Sequence, residues 1–199
     1  MSTLLQSRCV QGGETESQRP TSQCVLVTLH DLGSSHLALQ QFFSLPCLAA
    51  LTSTSLILHI SLPGQQPEAP DCPKASRYPG MQEMSEAVVG ILDMLNLTQV
   101  VILGVGAGAN IAARVSLCHS SRVLGVILIQ PVLRGVGLLE QVRLRSVVSD
   151  LRLGSSKETD NFLLQHAFGK FTAREQRDSK LVTALTIYRY NLQSDINPR

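Results

Sequence analysis

Residues 99–120 read QVVILGVGAGANIAARVSLCHS, and this stretch decides how the rest of the chain is read. Val100 to Leu103 with Val105 form a short apolar run broken by Gly104 and closed by Gly106 and Gly108. Ala109, Ile111, Ala112 and Val115 then follow at helical spacing. The pattern predicts a buried strand, a tight glycine turn and a helix packed close on the strand. Such a turn presents its apex at the carboxyl edge of a sheet, where open α/β folds bind ligands. The apex residue decides the chemistry, and here it is Gly106.

Two chemistries use a turn of this kind. In the nucleophile elbow, G-x-S-x-G, a strained backbone exposes the hydroxyl of the central serine, and the next N–H helps to bind an oxyanion. Gly104, Gly106 and Gly108 fill that template, with glycine where the serine belongs. In the dinucleotide fingerprint, G-x-G-x-x-G/A, the same glycines with Ala109 fit the three small positions. That fingerprint also needs an acidic residue about 20 positions on to hold a ribose. No Asp or Glu occurs between Ala109 and Leu139. A third reading is structural, with the glycines serving only close packing of helix on strand.

The chain has 199 residues, enough for one domain with a substantial core. A net charge of +2 with scattered basic residues lacks the Lys/Arg run interleaved with aromatics of a nucleic-acid face. The densest basic patch, residues 143–152, reads as a solvated helix face. The five cysteines, Cys9, Cys24, Cys47, Cys72 and Cys118, are odd in number and form no C-x-x-C pair. They read as reduced thiols, neither a disulfide framework nor a zinc site. The amino terminus lacks the apolar run of a signal peptide, and no stretch approaches membrane-spanning length. The expectation is a cytoplasmic protein without integral membrane association.

Outward from the glycine turn, the pattern is one of alternating strands and helices. Residues 1–22 are rich in Gln, Ser, Thr, Gly and Glu, and are expected to be mobile. A strand is predicted over residues 25–29, a helix over 37–51 interrupted near Pro46, and a second strand over 56–60. A Pro-rich surface loop follows over 63–79. Met81, Met84, Val88, Ile91, Leu92 and Leu95 then share one helical face, with Glu83, Glu86 and Asp93 off it. Beyond the central helix, Val123 to Ile129 is the fourth apolar strand. Four buried strands alternating with helices call for a parallel sheet with right-handed crossovers. In the last third, Ser155 with Glu158 and Thr172 with Glu175 are capping-box pairs opening helices over about 156–168 and 173–192.

The order VLVTLHDLG, LILHISLPGQ, ILDMLNLTQVVILGVGAGAN, SSRVLGVILIQP resembles the core of the α/β-hydrolase fold over residues 24–131. In detail it is similar to the N-myc downstream-regulated (NDRG) family, a branch of that fold regarded as catalytically inactive. The matching residues are His30, Asp31 and Gly33; Pro63 to Gln66; Tyr78 and Pro79; Gly104, Gly106, Ala107, Gly108 and Ala109; and Arg114. Near the end they are Phe168, Gly169 and Lys170 and the pattern Y-R-x-x-L-x-x-D-I-N-P from Tyr188 to Pro198. Against the family pattern the chain is short, with most of an amino-terminal hairpin and the last strands missing. It therefore reads as a truncated form.

In a hydrolase triad the acid and histidine follow the serine, after later strands. The five histidines are thus judged singly. His59 reads as a core or rim residue, His119 as a helix-end residue, His166 as lying on a helix face and His36 as an exposed loop or helix-start residue. His30 alone lies in a loop matching an oxyanion position. Nucleophile, base and orienting acid cannot be assembled.

The expectation is an α/β domain over residues 23–199, a partial hydrolase-like parallel sheet flanked by helices, with a helical cap-like part from about 132. It has a degenerate elbow at Gly104, Gly106 and Gly108, and a degenerate oxyanion loop at His30, Asp31 and Gly33. No catalytic residue, cofactor or metal ligand is assigned. The resemblance implies a non-enzymatic adaptor in growth, stress or differentiation signalling, acting through unidentified protein partners. Self-association through the Val123 to Ile129 edge is a further expectation, because an apolar strand edge templates pairing. The competing readings are a small-molecule hydrolase or thioesterase with a non-standard nucleophile, and a dinucleotide binder.

Overall fold

The computed structural model describes residues 24–66, 69, 77–132, 162 and 165. The chain divides into two compact units, Met1–Leu133 and Arg134–Arg199. The mobile segment expected at 1–22 lies outside the described residues. So do the carboxyl-terminal helices, apart from Phe162 and Gln165, both of which are helical.

Within the first unit the elements alternate as the apolar pattern requires. The order is β1 (Cys24–Leu29), α1 (His36–Phe43), a 3₁₀ turn (Pro46–Leu48), α2 (Ala49–Thr54), β2 (Ser55–Ile60), α3 (Met81–Met94), β3 (Val100–Val105), α4 (Ala107–Cys118), a second 3₁₀ turn (Ser120–Arg122) and β4 (Val123–Ile129). Pro46 ends the first helical run, and a 3₁₀ turn with Pro46 at its first position opens the next. The four strands form one sheet in the order β2-β1-β3-β4, every pair parallel. Parallel neighbours need crossovers, which the helices supply.

Side chains alternate across β1, and the two faces collect different cores. Val25, Val27 and Leu29 join Ile60, Val88, Leu92, Ile102, Ile111 and Val115 under α3 and α4. Leu26 packs instead with Phe43 of α1, Ile57 and Leu103. Full burial of each such Leu, Ile or Phe contributes about 1.5–3 kcal/mol. The apolar face predicted for α3 is the face that packs, with Met84, Val88, Ile91 and Leu92 buried and Glu83, Glu86 and Asp93 exposed.

The expectation of four buried strands does not hold for β4. Three of the four strands are buried, but β4 is not: Leu124 is 61% and Ile127 48% exposed, and Val126, Leu128 and Ile129 are exposed as well. Among the described residues β4 lies at one end of the sheet, paired with β3 alone, but β2 at the other end is buried, so what β4 lacks is cover over its side chains and not merely a second strand partner.

Candidate functional site

Three loops meet at the carboxyl edge of the sheet: residues 30–35 after β1, 61–66 after β2, and the glycine turn between β3 and α4. Register brings them together. Leu29 is level with Gly104, and Val105 with Ile129.

The turn keeps the strained backbone of a nucleophile elbow. Gly106 has φ 54° and ψ −112°, a left-handed conformation that glycine adopts without a Cβ penalty. Its N–H donates to the Ile129 carbonyl at 2.9 Å, which ties the turn to β4. The flanking glycines serve close approach. A Cβ on Gly104 would strike the backbone of Gly108 and Ala109, and one on Gly108 would strike the carbonyl oxygens of Leu29 and His30. Helix α4 therefore lies directly against the end of β1, and its Ala109, Ile111, Ala112 and Val115 are buried.

The residue that reaches this turn is Asp31. Its Oδ1 accepts the Ala107 N–H at 2.7 Å and the Leu32 N–H at 2.8 Å. Helix α4 has no side-chain cap from its own N-cap residue, and a carboxylate 76 positions earlier in the chain supplies the acceptor instead. A negative group there also suits the positive end of the helix dipole. Gly33 completes the loop at a left-handed φ of 70°, and its N–H donates to Oε1 of Gln65 at 3.1 Å, joining the first loop to the second.

His30, expected at the oxyanion loop, turns inward. It is 1% exposed. Nε2 accepts the Leu62 N–H at 3.0 Å, which leaves the proton on Nδ1, and Nδ1 donates to the Asp31 carbonyl at 2.9 Å. The ring is a brace between the ends of β1 and β2. Burial holds its pKa below the ordinary value, partly opposed by the bond to the Asp31 carbonyl. His59 is a core residue: Nδ1 shares a 2.7 Å hydrogen bond with Thr28 Oγ1, and burial, with the nearby His36, pushes its pKa down to about 4.

His36 corrects the sequence reading. It does begin α1, but it is buried rather than exposed, with Nδ1 2.7 Å from Ser61 Oγ. The partner lies 25 residues away, so no local pattern announced it. Two residues that match the family pattern make loop contacts: Gln65 as above, and Tyr78, whose hydroxyl donates to the Pro63 carbonyl at 3.0 Å. His119 lies at the end of α4, 3.0 Å from Oε2 of Glu86. His166 lies outside the described residues.

The site thus holds an elbow without a nucleophile, two N–H donors already bonded to a carboxylate, and buried histidines hydrogen-bonded within the fold. Among the described residues no group of three His, Cys, Asp or Glu could hold a metal ion, and no helix is long and apolar enough to cross a membrane. Cys24, Cys47 and Cys118 are free.

Comparison with known proteins agrees with this architecture. A model of the Ndr family matches residues 7–199. The uncharacterised Caenorhabditis elegans protein ZK1073.1 is 26% identical over 193 residues, covering 96% of this chain and 54% of the worm protein. Protein NDRG3 of Xenopus laevis is 36% identical over 118 residues, covering 59% of this chain and 30% of NDRG3. The chain therefore spans about half or less of the length of these relatives. Among solved structures, the enol-lactonase from Burkholderia xenovorans superposes with a TM-score of 0.66 at 20% identity, over 96% of this chain and 65% of the enzyme. At that identity the likeness speaks for the fold alone.

Proposed function

The chain belongs to the Ndr family, and from that premise we propose that it is a non-enzymatic protein of the NDRG type, an adaptor working through protein contacts in growth, stress or differentiation signalling. It is cytoplasmic in this reading. The observation that carries the non-enzymatic part is Gly106: the strained elbow backbone is kept at φ 54°, and the apex has no side chain to attack with. Hydrolase catalysis at such a turn needs a hydroxyl activated by an adjacent base. Neither is assembled among the described residues.

A fluorophosphonate probe, which labels activated serines, tests this. The wild-type chain and Gly106→Ser should both show no labelling above heat-denatured controls, and neither should turn over a p-nitrophenyl ester above buffer, because an isolated hydroxyl at its free pKa is a weak nucleophile. Specific labelling of the wild type that survives replacement of Cys24, Cys47 and Cys118 would overturn the reading and favour a hydrolase with a non-standard nucleophile.

A further inference from the structure

The elbow has lost its serine, yet both donors that would hold a developing oxyanion are in place. One is the N–H of the residue after the apex, Ala107. The other is an N–H from the loop after β1, Leu32. A hydrolase leaves such donors open for substrate. In this chain Oδ1 of Asp31 sits on both, at 2.7 and 2.8 Å. The steric record of the site is as telling. A Cβ built on Gly106 would fall inside the Asp31 carboxyl group, against Cγ and both oxygens.

We propose that Asp31 is a built-in occupant of the oxyanion hole, an internal anion that closes the elbow to substrate, and that residue 106 is glycine because the carboxylate takes the space of the nucleophile's side chain. This goes beyond the absence of a serine. A carbonyl oxygen could be polarised between Leu32 and Ala107 only by displacing a carboxylate whose charge strengthens both hydrogen bonds. The contact also fastens the loop after β1 to the first turn of α4, so the group that blocks the site holds the fold's edge together. The inference stands on this contact and not on the adaptor reading. A chain that labels with the probe could still show the closure, and one that fails to label could lack it.

A double-mutant cycle between positions 106 and 31 in the full chain is the test. Backbone strain from a side chain at a left-handed φ is common to both backgrounds, so the cycle isolates the clash with the carboxylate. Gly106→Ala is expected to lower the melting temperature of the Asp31 protein at least twice as far as it lowers that of Asp31→Ala. Asp31→Ala should in turn gain stability in 0.1–0.5 M sodium acetate relative to matched chloride, while the parent does not. Equal losses in the two backgrounds, or no acetate effect specific to Asp31→Ala, would overturn the proposal. Should Asp31→Ala or Gly106→Ala fail to fold, Asp31→Asn keeps an acceptor oxygen and removes only the charge. The amide proton resonances of Leu32 and Ala107 should then both move upfield as their hydrogen bonds weaken. If neither moves, the internal anion is refuted.

Discussion

At the scale of single residues, three histidines show how burial decides chemistry. His30, His36 and His59 are all buried, each with a ring nitrogen in a hydrogen bond to loop or strand. His30 and His59 have pKa values below the ordinary one, because burial penalises the charged ring. The sign for stability follows. The unfolded chain binds protons at these rings near pH 6.5 and the folded chain does not, so their contribution is complete above that pH. It is lost as pH falls below 6.5, in the case of His59 toward its folded value of about 4. For His59 the slope in that window stays below about 1.4 kcal/mol per pH unit, the limit for one proton, because solvent screens part of the penalty. The urea midpoint should therefore hold between pH 8 and 7 and drop between 6.5 and 5. His59→Gln, which can still bond Thr28, should flatten the drop by roughly one ring's share. A midpoint equally pH-dependent in His59→Gln and wild type would show that His59 does not contribute.

At the scale of elements, the decisive contact is α4 on the sheet. Gly104 and Gly108 permit backbone approach, and Ala109 and Ala112 are fully buried at the interface. Interiors are packed near crystal density, so added methylenes have nowhere to go. Ala112→Leu should overpack this contact and destabilise by about 1–3 kcal/mol, measured by urea unfolding. An unchanged midpoint would mean that the contact can relax around the larger side chain. The small residues at 108, 109 and 112 were legible as a helix face because they recur at helical spacing after a strand. That Asp31 caps this helix was not legible, since the two groups lie 76 residues apart and meet only through the pairing of β1 with β3.

At the scale of the whole molecule, β4 is where association is expected. Its exposed Leu124, Val126, Ile127, Leu128 and Ile129 carry no charge among them, and among the described residues its outer edge pairs with no strand. Strand edges of this composition template pairing with another chain. Light scattering at rising protein concentration should show reversible self-association, and Val126→Lys, a charged gatekeeper on the strand, should weaken it. A wild-type chain that stays monomeric and folds cooperatively at high micromolar concentration would remove the case for this edge as an interface.

The parallel α/β architecture, the strand–glycine–helix unit at residues 100–118, the apolar face of α3 and the missing nucleophile at Gly106 can all be read along the chain. All of these are properties of neighbouring residues, because strand and helix periods and turn chemistry act over a few positions. Which group fills the elbow, the burial of His36 against Ser61, the bracing of β1 to β2 by His30 and the thin cover of β4 emerge once the strands lie side by side. These depend on which strands lie side by side, and a parallel sheet brings together loops tens of residues apart whose polar groups must find partners once water is excluded.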